Sequence, residues 1–168
     1  TASGLVVLSS PRKRIGRARL TIVDADGGMR TIMLARVQAG LIPLPRRVGR
    51  GEVPVSHEVT PALVVDETGT RAFVVAAGLP LVEEIDLASG AVTPHAVLAG
   101  GPTRASVAKV TEGMNRWARW IGDGLLAVTG QDSFLNNGDQ RVVPFGLQTI
   151  DTRTWTTRKL ASATTWFV

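Results

Sequence analysis

Residues 62–98 read ALVVDETGTRAFVVAAGLPLVEEIDLASGAVTPHAVL, four short apolar runs parted by three turn signals. The runs are Leu63 to Val65, Ala72 to Ala77, Leu81 to Leu87 and Ala91 to Leu98. The breaks are Asp66-Glu67-Thr68-Gly69, Gly78-Leu79-Pro80 and Ala88-Ser89-Gly90. Short runs rich in Val and Ile, bounded by Gly, Pro and Asp, predict strands, and breaks this tight turn each strand back against the one before it. The stretch therefore reads as a four-stranded antiparallel meander.

Working outward, the third break recurs. LTIVDADGGMRTIML from Leu20, LVEEIDLASGAVTPHAV from Leu81 and LQTIDTRTWTTRKL from Leu147 each carry an apolar residue, an Asp and, four positions on, Gly or Trp. A second hairpin recurs with it: Arg71 to Gly78 has a counterpart in Gly124 to Gly130 and a shorter one in Gly4 to Ser9. Asp86 lies 62 residues after Asp24, and Asp151 lies 65 after Asp86. Common propeller repeats run roughly 40 to 50 residues, so about 20 residues of each unit are expected to be loop. An Asp that opens a turn accepts backbone N–H groups two or three residues on, while Gly supplies positive φ. Asp24, Asp86 and Asp151 are thus read as turn-builders and not as catalysts.

These units resemble the bacterial β-propeller repeats of the YVTN and NHL-like type, in which a D-x-x-G turn is followed by V-x-x-I-D-x-x-T-G. Val65-Asp66-Glu67-Thr68-Gly69 and Val82 to Gly90 follow that pattern, and Leu147-Gln148-Thr149-Ile150-Asp151 follows the start of its second half. The first unit has no opening strand, and Trp155 stands where Gly is usual. The resemblance implies an all-β fold of about three propeller blades, each a four-stranded antiparallel meander, open or part of a larger ring. It implies no activity, and it leans toward an extracytoplasmic setting. The expected organisation is a partial blade over 1–37, a long loop over 38–61, a blade over 62–98 and a long loop over 99–116. A blade over 117–160 follows, and then the first strand of a further blade over 161–168. Exposed strand edges at both ends lead us to expect a piece of a larger ring or a chain that self-associates.

Composition fits this reading. Hydrophobic residues make up 44% of 168, with 18 Gly, as in a turn-rich globular protein. Cysteine is absent, which excludes disulfide frameworks and thiolate zinc sites and leaves the compartment open. The most apolar run, Ala72 to Val82, is too short to cross a bilayer, so no membrane span is expected.

Function is approached through strand parity. In an up-and-down meander, the loops joining strands two to three and unit to unit emerge at one end, and the other loops at the opposite end. All four long segments, Pro11 to Arg17, Gln38 to Pro61, Ala99 to Arg116 and Gln131 to Phe145, fall on the first end. They carry +6 in sum against +5 for the whole chain. Sixteen of the 19 basic residues are Arg, which suits bidentate contacts to carboxylate or phosphate. The candidate ligand-binding residues are Arg12, Arg14, Arg46, Arg47, Arg50, His57, Arg104, Arg116 and Trp117. The partner expected is an anionic small molecule or an acidic protein surface. Nucleic acid is a poor fit, because aromatics are 5% and, Trp117 and Trp120 apart, none interleaves with the basic loops.

Enzyme readings need a constellation. Propeller lactonases, similar to this chain in fold only, hold a divalent metal with Glu, Asp and Asn oxygens, and Glu58, Asp132, Asn136 and Asp139 lie in loops at the expected end. Calcium is the ion such oxygens suit, although the spacing is not that of an EF-hand and no cofactor is required by the motifs. His95, after Pro94 in an outer strand, is expected at the surface. The reading is a binding or scaffold module with a basic, long-loop ligand face. The alternative is part of a metal-dependent propeller hydrolase whose remaining site residues lie outside this chain.

Overall fold

The computed structural model describes residues 4–11, 14–48, 51–97, 111–136, 139–144 and 146–162, which form thirteen strands and no helix. The first meander is β1 (Leu5–Ser9), β2 (Ile15–Val23) and β3 (Met29–Val48), with β4 (Gly51–Thr60) returning along the far half of β3. The middle meander is β5 (Ala62–Val65), β6 (Arg71–Val75), β7 (Leu81–Asp86) and β8 (Val92–Ala96), paired antiparallel in chain order as the sequence predicts. The third contains β9 (Thr111–Gly122), β10 (Leu125–Asn136), β11 (Asp139–Pro144), β12 (Leu147–Asp151) and β13 (Thr157–Ala161). Here β10 pairs with β9 along most of its length, with β12 along its first part and with β11 along its last.

Two segments expected as loops are hairpins instead. Residues 38–61 continue β3 to Val48 and return as β4, and residues 131–145 continue β10 to Asn136 and return as β11. Pro43, Pro45 and Pro54 argue against strand in the sequence. Yet β3 has left β2 behind at Gly40, so its prolines sit where β2 no longer pairs and no ladder donor is needed on that side. Three parallel pairs, Glu58↔Gly113, Val59↔Met114 and Thr60↔Asn115, then join β4 to β9. The first and third meanders thereby share one nine-stranded sheet, while the middle meander is a separate four-stranded sheet. Of the expected loop over 99–116, residues 111–116 belong to β9, and the rest lies outside the described residues; of the strand expected over 161–168, Ala161 instead ends β13 and residues 163–168 lie outside the described residues.

The core explains the stacking. Successive residues of β6 point to opposite faces. Ala72, Val74 and Ala76 pack with Ala18, Leu20, Ile22 and Leu34 of the first meander. Phe73 and Val75 pack with Leu126, Val128 and Ile150 of the third. The middle meander is therefore covered on both faces, and Ala72 to Ala77 are all buried. A strand apolar on both faces has no polar alternation, which is why residues 72–77 read as one unbroken apolar run.

The opposite end of the strands carries tight turns. At Asp86 and Asp151 the same five-residue turn forms: the Asp amide donates to the carbonyl five residues on, and the amide four residues on donates back to the Asp carbonyl. The position that donates back has positive φ in both, +79° at Gly90 and +58° at Trp155, so a bulky residue occupies a left-handed site that glycine fills at no steric cost. At Asp24 the turn is one residue shorter. The Ser89 amide and hydroxyl, helped by the Ala88 amide and the Arg30 charge, hold the Asp86 carboxyl below the usual range, and the Arg153 guanidinium and amide do so for Asp151.

Candidate functional site

The end that sequence parity singles out is where the strands run past the meanders. The β1–β2 loop, the end of β3, the start of β5, the β6–β7 turn and the start of β9 share it. Gly78 in the β6–β7 turn lies against the Met114 side chain of β9. From Gly40 onward β3 leaves β2, and beyond Val128 β10 leaves β12. The freed lengths of β3, β4, β9, β10 and β11 form a mixed sheet beyond the core.

The predicted binding residues distribute unevenly over this end. Arg46 and Arg47 stand near the tip of the β3–β4 hairpin, in register with Val53 and Glu52, and His57 stands lower on β4 opposite Ile42. Arg14 is exposed at the entrance to β2, and Arg12, Arg50 and Arg104 lie outside the described residues. Arg116 is a correction: expected on the basic face, it is buried, and its Nη1 donates to the Asn115 carbonyl at 2.9 Å. Its side chain lies beside Gly130 of β10, where an added Cβ would run into the Asn115 backbone carbonyl first and stand 3.0 Å from the Arg116 Cδ, so only Gly fits there without moving β9. Trp117 is half-buried.

The candidate metal ligands separate along the strands. Asp132 pairs with Met114 and Glu58 with Gly113, while Asn136 and Asp139 face each other at the far tip of the β10–β11 hairpin. At about 3.3 Å per residue, the backbones of Asp132 and Asn136 are roughly 13 Å apart on one strand. Among the described residues no three His, Asp or Glu side chains converge on a cation position. Glu58 instead lines a cleft of about 350 Å³ with Ser9, Ser10, Gly40, Thr60 and Leu63, and its Oε1 accepts the Thr60 hydroxyl at 2.8 Å.

A second cluster, between the middle and third meanders, joins side chains that the sequence reading left apart. His95 Nε2 meets Glu84 Oε2 at 3.0 Å, Arg71 Nη1 donates to Glu84 Oε1 at 3.2 Å, and Arg71 Nε donates to Asp66 Oδ2 at 3.2 Å. Burial alone would raise the Asp66 carboxyl. The Arg71 and Thr70 amides, the Thr68 hydroxyl and the Arg71 guanidinium outweigh it and hold the group below its ordinary range. His95, expected at the surface, is half-buried: Trp155 of the third meander stacks on it with ring centroids 3.4 Å apart. Phe73 stacks on Trp120 at 5.8 Å, whose Nε1 donates to Glu67 Oε2 at 3.0 Å.

A His–carboxylate pair moves protons in many sites, but among the described residues this one is held by Arg71 and the face of Trp155. Its evident work is to close the seam. One signal could have found it, since pairing about the third turn puts Glu84 and His95 on one sheet face, two residues out of register. The contribution of Trp155 comes from another meander and has no local signature. No protein-family model, curated protein or solved structure matches the chain.

Proposed function

We propose that the chain is a binding or scaffold module whose meanders are β-propeller blades, with the ligand surface at the end where β3, β4, β9, β10 and β11 run past the core. The observation that supports this is the asymmetry of the two ends: five strands extend into a joint sheet at one, and among the described residues the strands are joined at the other by tight turns. Insertions in folds of this kind collect on the binding side, held in place by a rigid scaffold. The long segments at that end carry +6, and Arg14, Arg46 and Arg47 remain on it after Arg116 is removed to the interior. The partner is accordingly an anionic molecule or an acidic protein surface.

The test is retention on a sulfonate resin and binding of a labelled Glu-rich peptide across a salt series. Replacing Arg14, Arg46 and Arg47 together with Ser should weaken peptide binding about tenfold, since exposed charges contribute some tenths of a kcal/mol each. Replacing Arg153, Arg158 and Lys159 should leave it within about twofold. Equal loss from both sets would show that net charge alone is read and would remove the site from this end.

A further inference from the structure

The cleft of about 350 Å³ that Glu58 lines is bounded by the end of β1, by β3 and β4 where they pass beyond β2, and by the start of β5. Buried Ala39, Val59 and Pro61 belong to its apolar lining, and Ser9, Ser10 and Thr60 bring exposed hydroxyls to it. Among the described residues that line it, Glu58 alone carries a charge. Its carboxylate is half-buried, and its one partner among the described residues is the Thr60 hydroxyl on Oε1, which leaves Oε2 without a donor. Register adds a second acceptor. Paired residues of neighbouring strands share a sheet face, as do residues two apart on one strand, so Glu58 and Thr60 share theirs with Asn115, opposite Thr60 on β9, and with Gln131, opposite Asn115 on β10. Asn115 Oδ1 is buried and has no hydrogen-bond partner. Neighbouring strands stand about 4.8 Å apart, so a carboxylate held against Thr60 lies next to the Asn115 amide.

We propose that this cleft binds a small organic cation, a primary ammonium on a short aliphatic body, with Glu58 as its counter-ion and Asn115 as a further acceptor. An acceptor left without a donor away from water carries its full desolvation cost, and a ligand that only donates removes it. Ammonium has three donors and no acceptor, and the Ser9 and Ser10 hydroxyls can turn to accept as well. The apolar lining takes the methylenes, as in small-molecule sites where a few polar groups fix orientation and the rest of the wall is apolar. A neutral alcohol would leave the half-buried carboxylate uncompensated. A hard cation is poorly served, since calcium takes about six to eight oxygens and no three His, Asp or Glu side chains converge among the described residues. The site is opposite in sign to the arginine surface proposed above and does not depend on it.

Titrating the isotope-labelled chain with n-butylammonium chloride, and in parallel with n-butanol, while following backbone amides by NMR reads the site residue by residue. The amine should shift the amides around Gly40 and of Glu58 to Leu63, with an affinity about tenfold above that of the alcohol, the size expected of a charge-assisted hydrogen bond. Glu58→Gln keeps the shape of the side chain and should remove that preference. Asn115→Asp places a second negative charge beside the first and should tighten amine binding about threefold, a gain that misfolding cannot imitate. Replacing Arg153, Arg158 and Lys159 together with Ser should leave amine binding within about twofold. Equal affinity for the amine and the alcohol would overturn the proposal. So would a preference that survives Glu58→Gln, weaker binding by a folded Asn115→Asp chain, or displacement of the amine by micromolar calcium, which would assign the carboxylate to a metal.

Discussion

Glu83 and Glu84 are neighbours on β7 and face opposite seams of the same meander. Toward the first meander, Glu83 is wholly buried among aliphatic side chains. Toward the third, Glu84 is partly exposed in a chain of charged and aromatic groups. The need for Glu83 lies in β3, where the register with β2 slips so that Leu34 to Val37 stand opposite Ala18 alone. Such a bulge leaves backbone donors without a strand partner. Glu83 Oε1 accepts the Arg36 amide at 2.8 Å, while its Oε2 has no hydrogen-bond partner. Burial pushes this carboxyl up, only partly countered by the Arg36 and Ala35 amides and the Arg36 charge. One seam thus tolerates a costly carboxylate to repair an irregular strand, and the other is fastened by ion pairs and stacked rings.

The largest expected effect lies where the aromatic seam is deepest. Phe73→Ala should cost about 3–5 kcal/mol in a denaturant titration, since the ring is fully buried, stacks on Trp120 and meets Trp155 at a tilt. A loss below about 1 kcal/mol would mean that the seam is not packed as described.

At the other seam, Glu83→Leu should cost about 1–3 kcal/mol by leaving the Arg36 amide unsatisfied, whereas Glu83→Gln keeps an acceptor and should be nearly neutral. The pH dependence separates the two accounts of this residue. A folded-state pKa raised above the free value of about 4.3 gives stability that is fully present below that value and lost as pH rises through the folded pKa. Relative to Glu83→Gln, the wild type should therefore weaken as pH climbs from 4 toward neutrality, and a flat difference would contradict the burial.

Asp66 should behave with the opposite sign. Its folded pKa is lowered, so its contribution is present above about 3.9 and lost as pH falls through the folded value. Asp66→Asn should destabilise by about 1 kcal/mol at neutral pH, and the gap from wild type should close in acid. A gap that widened in acid would reverse the assignment.

The smallest effect is at Trp155. Trp155→Gly relieves a left-handed backbone cost of about 1 kcal/mol while losing stacking worth roughly 0.5–1.5 kcal/mol, so the two nearly cancel. Trp155→Ala loses the stacking and keeps the strain. Thermal midpoints should rank Gly above Ala at this position, and the reverse order would show that the backbone is not strained there.

What could be read ahead of the structure was local. The Asp66, Asp86 and Asp151 turns follow from a carboxylate that bonds amides within a few residues, and the middle meander follows from apolar runs between such turns. The β3–β4 extension was hidden because its prolines read as breakers until their place beyond the reach of β2 is known. The burial of Arg116 and the stacking of Trp155 on His95 depend on strands far apart in the chain, for which composition and spacing carry no signal. The basic end was legible as a placement of loops and charge, but not which of its arginines stay on the surface.

That the middle meander is sandwiched between the other two is tested most directly by amide hydrogen exchange resolved to single residues. The amides of β6 and β7, paired on both sides and covered on both faces, should exchange more slowly than those of any other strand. Those of β1 and β13, at the edges of the shared sheet, should be among the fastest of the paired amides. Exchange in β6 as fast as in β1 would contradict the stack.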